Sequence, residues 1–284
     1  MTAGKSGVLY LCATPIGNLE DVTLRVLRVL REVDLVAAED TRRTRKLLSH
    51  YDIHTPLTSY HEHSGRRKEE QLLERLAGGQ SIALVSDAGT PGISDPGEKL
   101  VRAALDRGIP VVPLPGPSAL LAALVVSGLP AARFAFEGFL PAKGKERQQL
   151  LEHLARESRT IVLFEAPHRL RKTLDDLRAH LGNRRACAAR ELTKKHEEVL
   201  RGTLDWLAEH FASRTPQGEF VLVIEGRGEE EPGTGREEWA LLAPEEHVRL
   251  LQERGLAPNE AIKKVARLRG IPRRELYNKV KLRK

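Results

Sequence analysis

The sequence predicts an α/β protein of two domains, a parallel α/β N-terminal domain and a mixed α+β second domain, followed by a small helical C-terminal module. Three observations carry this. Strand and helix patterns alternate through the first 130 residues, which in a packed domain means a mainly parallel sheet covered by helices. Beyond Leu129-Pro130 the rhythm breaks, and strand-like runs follow one another with too little chain between them for a helix. At the far end, three short helical patterns begin at Pro244, Pro258 and Pro272, with proline at the first helical position.

In chain order, short apolar runs predict strands over residues 8–12, 34–38, 56–60, 81–86 and 110–114. Between and after them, helical patterns span 22–32, 41–49, 65–77, 95–107 and 117–127. The second part reads as strands over 134–139, 160–165, 185–190, 196–202 and 219–225, with helices over 144–156, 167–181 and 203–212. The strands flanking Glu191–Lys195 leave no room for a helix between them, so this half is mixed. The boundary is placed near Pro130, giving domains of residues 1–130 and 131–226. The acidic, glycine-rich run GRGEEEPGTGREE over 226–238 predicts a flexible linker, counted from residue 227. Residues 239–284 then form the C-terminal module, with helices over 244–254, 258–269 and 272–281.

Bulk properties exclude several classes. A length of 284 residues suits two domains, and 40% hydrophobic residues suffice for a core. Aromatics at 4% are too few for base stacking on an aromatic platform to be the main mode of any nucleic-acid contact. The two cysteines, Cys12 and Cys187, lie in strand-like runs and are expected as buried reduced thiols. No Cys/His spacing resembles a zinc site, so no metal is expected. Residues 1–7 contain Lys5 and no apolar core of a secretory signal, which leads to an expectation of a cytoplasmic protein. Residues 108–132 carry no charge, but prolines at 110, 113, 115, 117 and 130 divide them into runs far shorter than the roughly 20 residues of a membrane span. Net charge is +7. Residues 245–284 hold 12 Lys/Arg against 5 Glu, and the rest of the chain carries 34 of each sign. The whole surplus therefore sits in the tail, where it either marks a polyanion footprint or is a solvated helical face.

Three loops concentrate small residues, glycine and proline where parallel sheets bind ligands, at strand C-terminal ends. The first is Ala13-Thr14-Pro15-Ile16-Gly17-Asn18, which is neither GxGxxG nor GxxxxGK[ST] and so disfavours a cradled nucleotide diphosphate. The second is Ser86-Asp87-Ala88-Gly89-Thr90-Pro91-Gly92-Ile93-Ser94-Asp95-Pro96-Gly97, whose carboxylates suit a cationic ligand, with Asp95 equally readable as a cap of the next helix. The third is Pro113-Leu114-Pro115-Gly116-Pro117-Ser118-Ala119, where Ser118 is either a ligand contact or a helix cap.

With Phe164-Glu165-Ala166-Pro167-His168-Arg169 and Ala189-Arg190-Glu191-Leu192-Thr193-Lys194, these loops resemble the tetrapyrrole methylase superfamily. The closest resemblance is to its branch that methylates the 2'-oxygen of a decoding-centre cytidine in 16S ribosomal RNA. Ala38-Glu39-Asp40-Thr41-Arg42, Ser59-Tyr60-His61-Glu62-His63 and Gly138-Phe139-Leu140-Pro141 mark the same branch. The resemblance covers roughly residues 7–228. It implies a tetrapyrrole-methylase-like fold, S-adenosyl-L-methionine as cofactor in a cleft between the domains, and a homodimer acting on 16S rRNA in the 30S subunit. It implies that Pro15, Asp87, Gly89, Thr90, Ser118 and Ala119 line the cofactor from the first domain, and Glu165 and Ala166 from the second. The first turn lacks the GxGPGD-like form of the porphyrin-precursor enzymes, which argues against a tetrapyrrole substrate.

Methyl transfer to a ribose hydroxyl needs in-line positioning and help with the hydroxyl proton. The polar candidates are Glu39, Asp40, His61, His63, Arg169, Glu191 and Lys194, each equally readable as a local salt bridge or cap. His61-Glu62-His63 lacks the i,i+4 spacing of a helical zinc motif. Arg42, Arg43, Arg45 and Lys46 share one helix, as a solvated face or a phosphate track, and Lys143, Lys145 and Arg147 are ambiguous in the same way. In the tail, Ala266, Gly270 and Leu276 have helix-turn-helix spacing, with Val280 one place late. RNA-contacting residues are expected at Arg42, Lys143, Lys145, Lys263, Lys264, Arg267, Arg273, Arg274 and Lys279. Two other readings stay open: a tetrapyrrole-like small-molecule methylase, and a metabolite-sensing DNA-binding regulator.

Overall fold

The computed structural model describes residues 6–62, 64–95, 97–228, 242–253 and 255–281. The chain divides into two compact units, one ending at Arg227 and one beginning at Gly228. His63, Pro96 and residues 229–241, which hold most of the expected linker, lie outside the described residues.

The first sheet contains β1 (Leu9–Cys12), β2 (Leu35–Ala38), β3 (Leu57–Ser59), β4 (Ile82–Val85) and β5 (Val111–Leu114), in the order β3-β2-β4-β1-β5. Every pairing is parallel. Helices α1 (Leu24–Glu32) and α2 (Thr41–His50) cover one face, where Val26, Leu30 and Leu48 pack on Cys12, Val36 and Ala83. Helices α3 (Gly65–Ala77) and α4 (Gly97–Asp106) cover the other, with Leu72, Leu76 and Leu100 on Leu9, Ile82 and Leu84. The chain leaves β1 over one face and β4 over the other, so the carboxyl ends of these neighbouring strands are a topological switch point, where open parallel sheets bind ligands. Local signals fix the helix starts: Thr23 caps α1 through Val26 N–H, and Asp40 caps α2 through Arg42 N–H.

The second sheet orders β6 (Phe134–Phe139), β7 (Thr160–Glu165), β8 (Arg185–Arg190), β9 (Glu198–Thr203) and β10 (Phe220–Ile224) as β6-β7-β10-β8-β9. Only the β6–β7 pair is parallel. Helices α6 (Lys145–Leu154), α7 (Pro167–Leu181) and α8 (Leu204–Ala212) pack on one face through Leu151, Leu170, Leu174 and Leu207. The other face is covered by α5 (Ala119–Ser127), whose Leu120, Ala123 and Leu124 lie against Val162, Cys187, Val221 and Val223. This corrects one expectation. Helix α5 was assigned to the N-terminal domain, before Pro130, but it packs on the second sheet, so the change of sheet comes in the 115–118 turn that leads out of β5.

Element limits otherwise match the sequence pattern to within a few residues, and a one-turn 3-10 helix at Leu19–Asp21 adds to it. The charge-free 108–132 stretch supplies β5 and α5, and among the described residues no helix is long and apolar enough to cross a membrane.

The second unit packs α9 (Pro244–Glu253), α10 (Pro258–Arg269) and α11 (Arg273–Lys281) around Val248, Leu251, Ile262, Val265, Ala266 and Leu276. Gly270 ends α10 in the left-handed conformation, with φ 65°, and its amide bonds back to Ala266 O. Val280, one place late for the motif, still packs against this core.

Candidate functional site

A cleft of about 430 Å³ opens at the carboxyl ends of the first sheet and is closed from the other side by the second. Its floor is local backbone chemistry. Thr14 and Gly89, in the loops after β1 and β4, exchange two backbone hydrogen bonds of 2.9 Å. Gly89 holds φ +82°, a conformation that a side chain would strain. Ser86 Oγ donates to Gly89 O, and Thr90 Oγ1 to Pro117 O, tying the second loop to itself and to the third.

Of the expected cofactor residues, Asp87, Gly89, Thr90, Ser118, Ala119, Glu165 and Ala166 all line this cleft. Pro15 lines a contiguous side hollow of about 250 Å³. Ser118 also caps α5 through Leu121 N–H, so the cap reading holds at a residue that faces the cleft. Asp95 lines the cleft and closes its own loop, accepting from Gly92 N–H and Gly97 N–H at 2.7–2.9 Å. Burial raises its pKa against the pull of those amides.

Carboxylates gather on the first-sheet side. Asp87 accepts from Asp40 N–H at 2.9 Å, and Arg43 lies 3.4 Å from its other oxygen. Glu39 accepts from Asp87 N–H at 3.4 Å. Burial pushes the Glu39 carboxyl above its ordinary value, and the neighbouring Asp87 charge adds to the rise. Asp40 differs from its neighbour. The Arg42 guanidinium and amide hold it down at about 2, and it lies outside the cleft lining as the cap of α2.

On the second-sheet side, Glu191 and Lys194 line the cleft. Lys194 Nζ lies 2.9 Å from both Glu191 and Glu219, and Glu191 also accepts from Glu219 N–H. Partial burial opposes ionisation of Glu191, but the Glu219 amide and Lys194 outweigh it and hold its pKa below the ordinary value. Glu191 and Thr193 are non-glycine residues at φ 51° and 67°, the kind of backbone strain that concentrates at functional loops. This loop meets the first turn: Asn18 N–H donates to Thr193 Oγ1, and a Cβ on Gly17 would sit 2.3 Å from Lys194 Cγ.

His61 is exposed and away from the cleft lining, where its amide donates to Ser64 Oγ. Arg169 is also absent from the lining, being committed to Glu165 and to the Leu140 carbonyl. Glu165, fully buried, accepts from Ala166 N–H and Thr173 Oγ1. Arg147 donates to the same Thr173 hydroxyl and pairs with Asp176 at 2.8 Å. It also donates to Pro141 O. Arg147 is thus buried, and it departs from its neighbours Lys143 and Lys145, which are exposed. A bulge in β6 between Phe136 and Gly138 precedes Phe139, which joins Phe164 in an apolar wall of the cleft.

Sequence reasoning did not single out Glu219 or Phe220 on the far wall; polar and apolar residues of a strand end carry no motif. In the tail unit, Lys263, Arg267, Arg273, Arg274 and Lys279 are exposed and Lys264 partly so, and Lys279 is paired with Glu275 at 2.7 Å. Among the described residues no cluster of His, Cys, Asp and Glu is arranged to hold a metal ion.

Residues 8–208 match the family model of the Tetrapyrrole (Corrin/Porphyrin) Methylases. The chain is 51% identical over 275 residues to the ribosomal RNA small subunit methyltransferase I of Halalkalibacterium halodurans, covering 96% of this chain and 94% of that one. It is 52% identical over 272 residues to the protein of the same name from Synechocystis, covering 95% and 96%. Among solved structures, the uroporphyrin-III C-methyltransferase of Thermus thermophilus complexed with S-adenyl homocysteine shares the fold. The TM-score is 0.56 at 22% identity, over 78% of this chain and 98% of that one.

Proposed function

Because this chain belongs to the tetrapyrrole (corrin/porphyrin) methylase family, in its ribosomal RNA small subunit methyltransferase I branch, we propose that it methylates small-subunit ribosomal RNA with S-adenosyl-L-methionine. In its finer form the proposal is transfer to the ribose 2'-oxygen of a decoding-centre cytidine of 16S rRNA, in the 30S subunit. The observation that carries it is identity near one half along almost the whole of both chains, tail included. The absence of a GxGPGD-like first turn and the basic tail both weigh against a tetrapyrrole substrate.

The cleft fits the cofactor. Its volume is that of a small-molecule site. Phe139, Phe164, Leu120 and Val221 give apolar walls, and Asp87 gives acceptors and negative charge for an ammonium and a sulfonium. When bound, the cofactor supplies an electrophilic methyl group on sulfur. Asp87, Gly89, Thr90, Ser118, Ala119, Glu165 and Ala166 would hold it, with Pro15 stiffening the adjoining turn. The protein then has to present a hydroxyl in line and accept its proton. Glu39 is assigned that proton: it faces the cleft, and burial has raised its basicity. Glu191 is engaged by Lys194 and the Glu219 amide, and Asp40 is held ionised outside the lining, so both suit positioning. The exposed cations of the tail unit, Lys263, Arg267, Arg273 and Arg274 among them, would grip phosphates.

A homodimer in the cytoplasm completes the reading. Leu121 and Val125, 50% and 70% exposed on the outer side of α5, are apolar surface that a second copy would cover. The test incubates the protein with labelled cofactor and 30S subunits from a strain lacking the modification. Label on a cytidine ribose is expected. No transfer to rRNA together with tight duplex-DNA binding would replace this reading with that of a regulator.

A further inference from the structure

The described residues outside the tail carry nearly balanced charge, but the fold does not spread it evenly. Helices α1 and α2 lie on the same face of the first sheet, sharing the core that contains Val26, Leu30 and Leu48. Their carboxyl ends are joined by Arg31, which donates to Tyr51 O at 3.0 Å. Together the two helices carry seven Lys/Arg and one carboxylate, Glu32. Helices α3 and α4, on the opposite face, carry six Lys/Arg against five carboxylates. All seven cations of the α1–α2 face are exposed. Among the described residues, Arg25, Arg45 and Lys46 have no carboxylate within ion-pair distance, and Arg31 is spent on a carbonyl, which leaves its charge uncompensated.

The face also has a direction. Both helices start at the carboxyl ends of their strands, the cleft side of the sheet. From Arg25 to Arg31 the basic row of α1 runs about 9 Å along the axis, six residues at ~1.5 Å each. At the cleft end of α2, Arg43 lies 3.4 Å from Asp87 and lines both the cleft and the side hollow. A cationic row that ends at a site for chemistry matches a strand of evenly spaced phosphates whose one nucleotide must enter that site.

We propose that the α1–α2 face is a second docking surface for the RNA, separate from the tail, which leads the substrate strand past Arg25, Arg28, Arg31, Arg45 and Lys46 to the cleft mouth at Arg43. The proposal rests on the reading that the substrate is ribosomal RNA. The surface takes the phosphodiester backbone, and it supplies register where the tail supplies general attraction.

The test uses the full chain with the charge reversals R45E/K46E, which lie on the solvent side of α2 away from the cleft lining, and K99E/R102E on α4 as a control of equal charge change on the opposite face. Affinity for 30S subunits lacking the modification is measured against salt, and S-adenosylhomocysteine binding by calorimetry. R45E/K46E is expected to bind subunits about tenfold more weakly near physiological salt, with the slope of log affinity against log salt shallower by about 2. It should bind S-adenosylhomocysteine as the unmodified protein does. K99E/R102E should change subunit affinity far less. Equal losses in the two variants would mean a net-charge effect and overturn the assignment, as would undiminished binding by R45E/K46E. If the unmodified chain itself fails to bind subunits, the rRNA reading falls first, and the two failures are thereby distinguished.

Discussion

Replacing Thr173 by Val tests whether the buried network under the cleft holds its wall. The Thr173 hydroxyl donates to Glu165 and accepts from Arg147 Nη2 at 3.0 Å. The Glu165 side chain is 0% exposed and that of Arg147 6%, so water cannot replace the lost partner. Val has nearly the shape of Thr, and the change is therefore chiefly one of hydrogen bonding. Each of two charged groups loses one bond worth about 1.5–3 kcal/mol. Both keep other partners, Ala166 N–H and Arg169 for Glu165, Asp176 and Pro141 O for Arg147. A net cost of about 3 kcal/mol follows, toward the lower end of the range for breaking a buried charged pair. For a unit of this size that is a fall in Tm of about 6–12 °C. Thermal unfolding followed by circular dichroism measures it, with a cycle through E165Q and the double variant to isolate the coupling. Cofactor affinity should fall as well, because the same network holds the 139–141 turn through the Leu140 and Pro141 carbonyls. A Tm within about 2 °C of the parent, or strictly additive effects of E165Q and T173V, would refute the reasoning.

Asp87→Asn keeps the size of the side chain that accepts from Asp40 N–H but removes its charge, and is expected to weaken cofactor binding about tenfold, or ~1.4 kcal/mol, by calorimetry; an unchanged Kd contradicts the placement of the donor there. Removing residues 237–284 should leave cofactor affinity intact, since every residue lining the cleft precedes residue 228, while rRNA affinity weakens and loses part of its salt dependence. Equal affinity at low salt with and without the tail rules this out. Burial pushes Cys12 up to about 12 and raises Cys187, so neither should react with a thiol-exchange reagent near pH 8 until the protein unfolds. With folded values above the unfolded ones, the stability they contribute is full below the unfolded pKa and is lost as pH rises from there through the folded values. Rapid labelling of either thiol in the native protein would show that the strand cores are open.

Much of this was legible in the chain because strand ends, caps and proline-led helix starts are local signals. Helix α3 spans the residues its periodicity marks, and α10 stops at Gly270, where the left-handed turn needs a residue without a side chain. Helix α5 was legible as a helix and not as to its partner. It is apolar on every side, so no stripe points to the sheet it covers. Glu39 and Asp40 are adjacent in sequence and opposite in role, because β2 ends at Ala38 just before them and the side chain of the second turns back to cap α2. Arg147 looked like its exposed lysine neighbours, and only the meeting of α6, α7 and β7 shows that its partners are Thr173 and Asp176. The α2 cations were legible as a solvated face or a phosphate track, but not that α1 adds its own to the same side: a sum of zero over the preceding chain says nothing about which helices share a face.

Helix α5 also decides where the two halves can pivot. It follows directly on the last parallel strand yet is bedded in the opposite half, like a dowel driven through a joint. Any opening turns about residues 115–118 while Leu120 and Leu124 stay on Val162, Val221 and Val223; what it must pull out of this cluster is Ile16 of the first half, a large side chain whose re-exposure costs about 1.5–3 kcal/mol. Phe139 and Ile93, which line the cleft and stand 52% and 41% exposed, form its apolar rim, and rotation of such exposed side chains takes only picoseconds to nanoseconds.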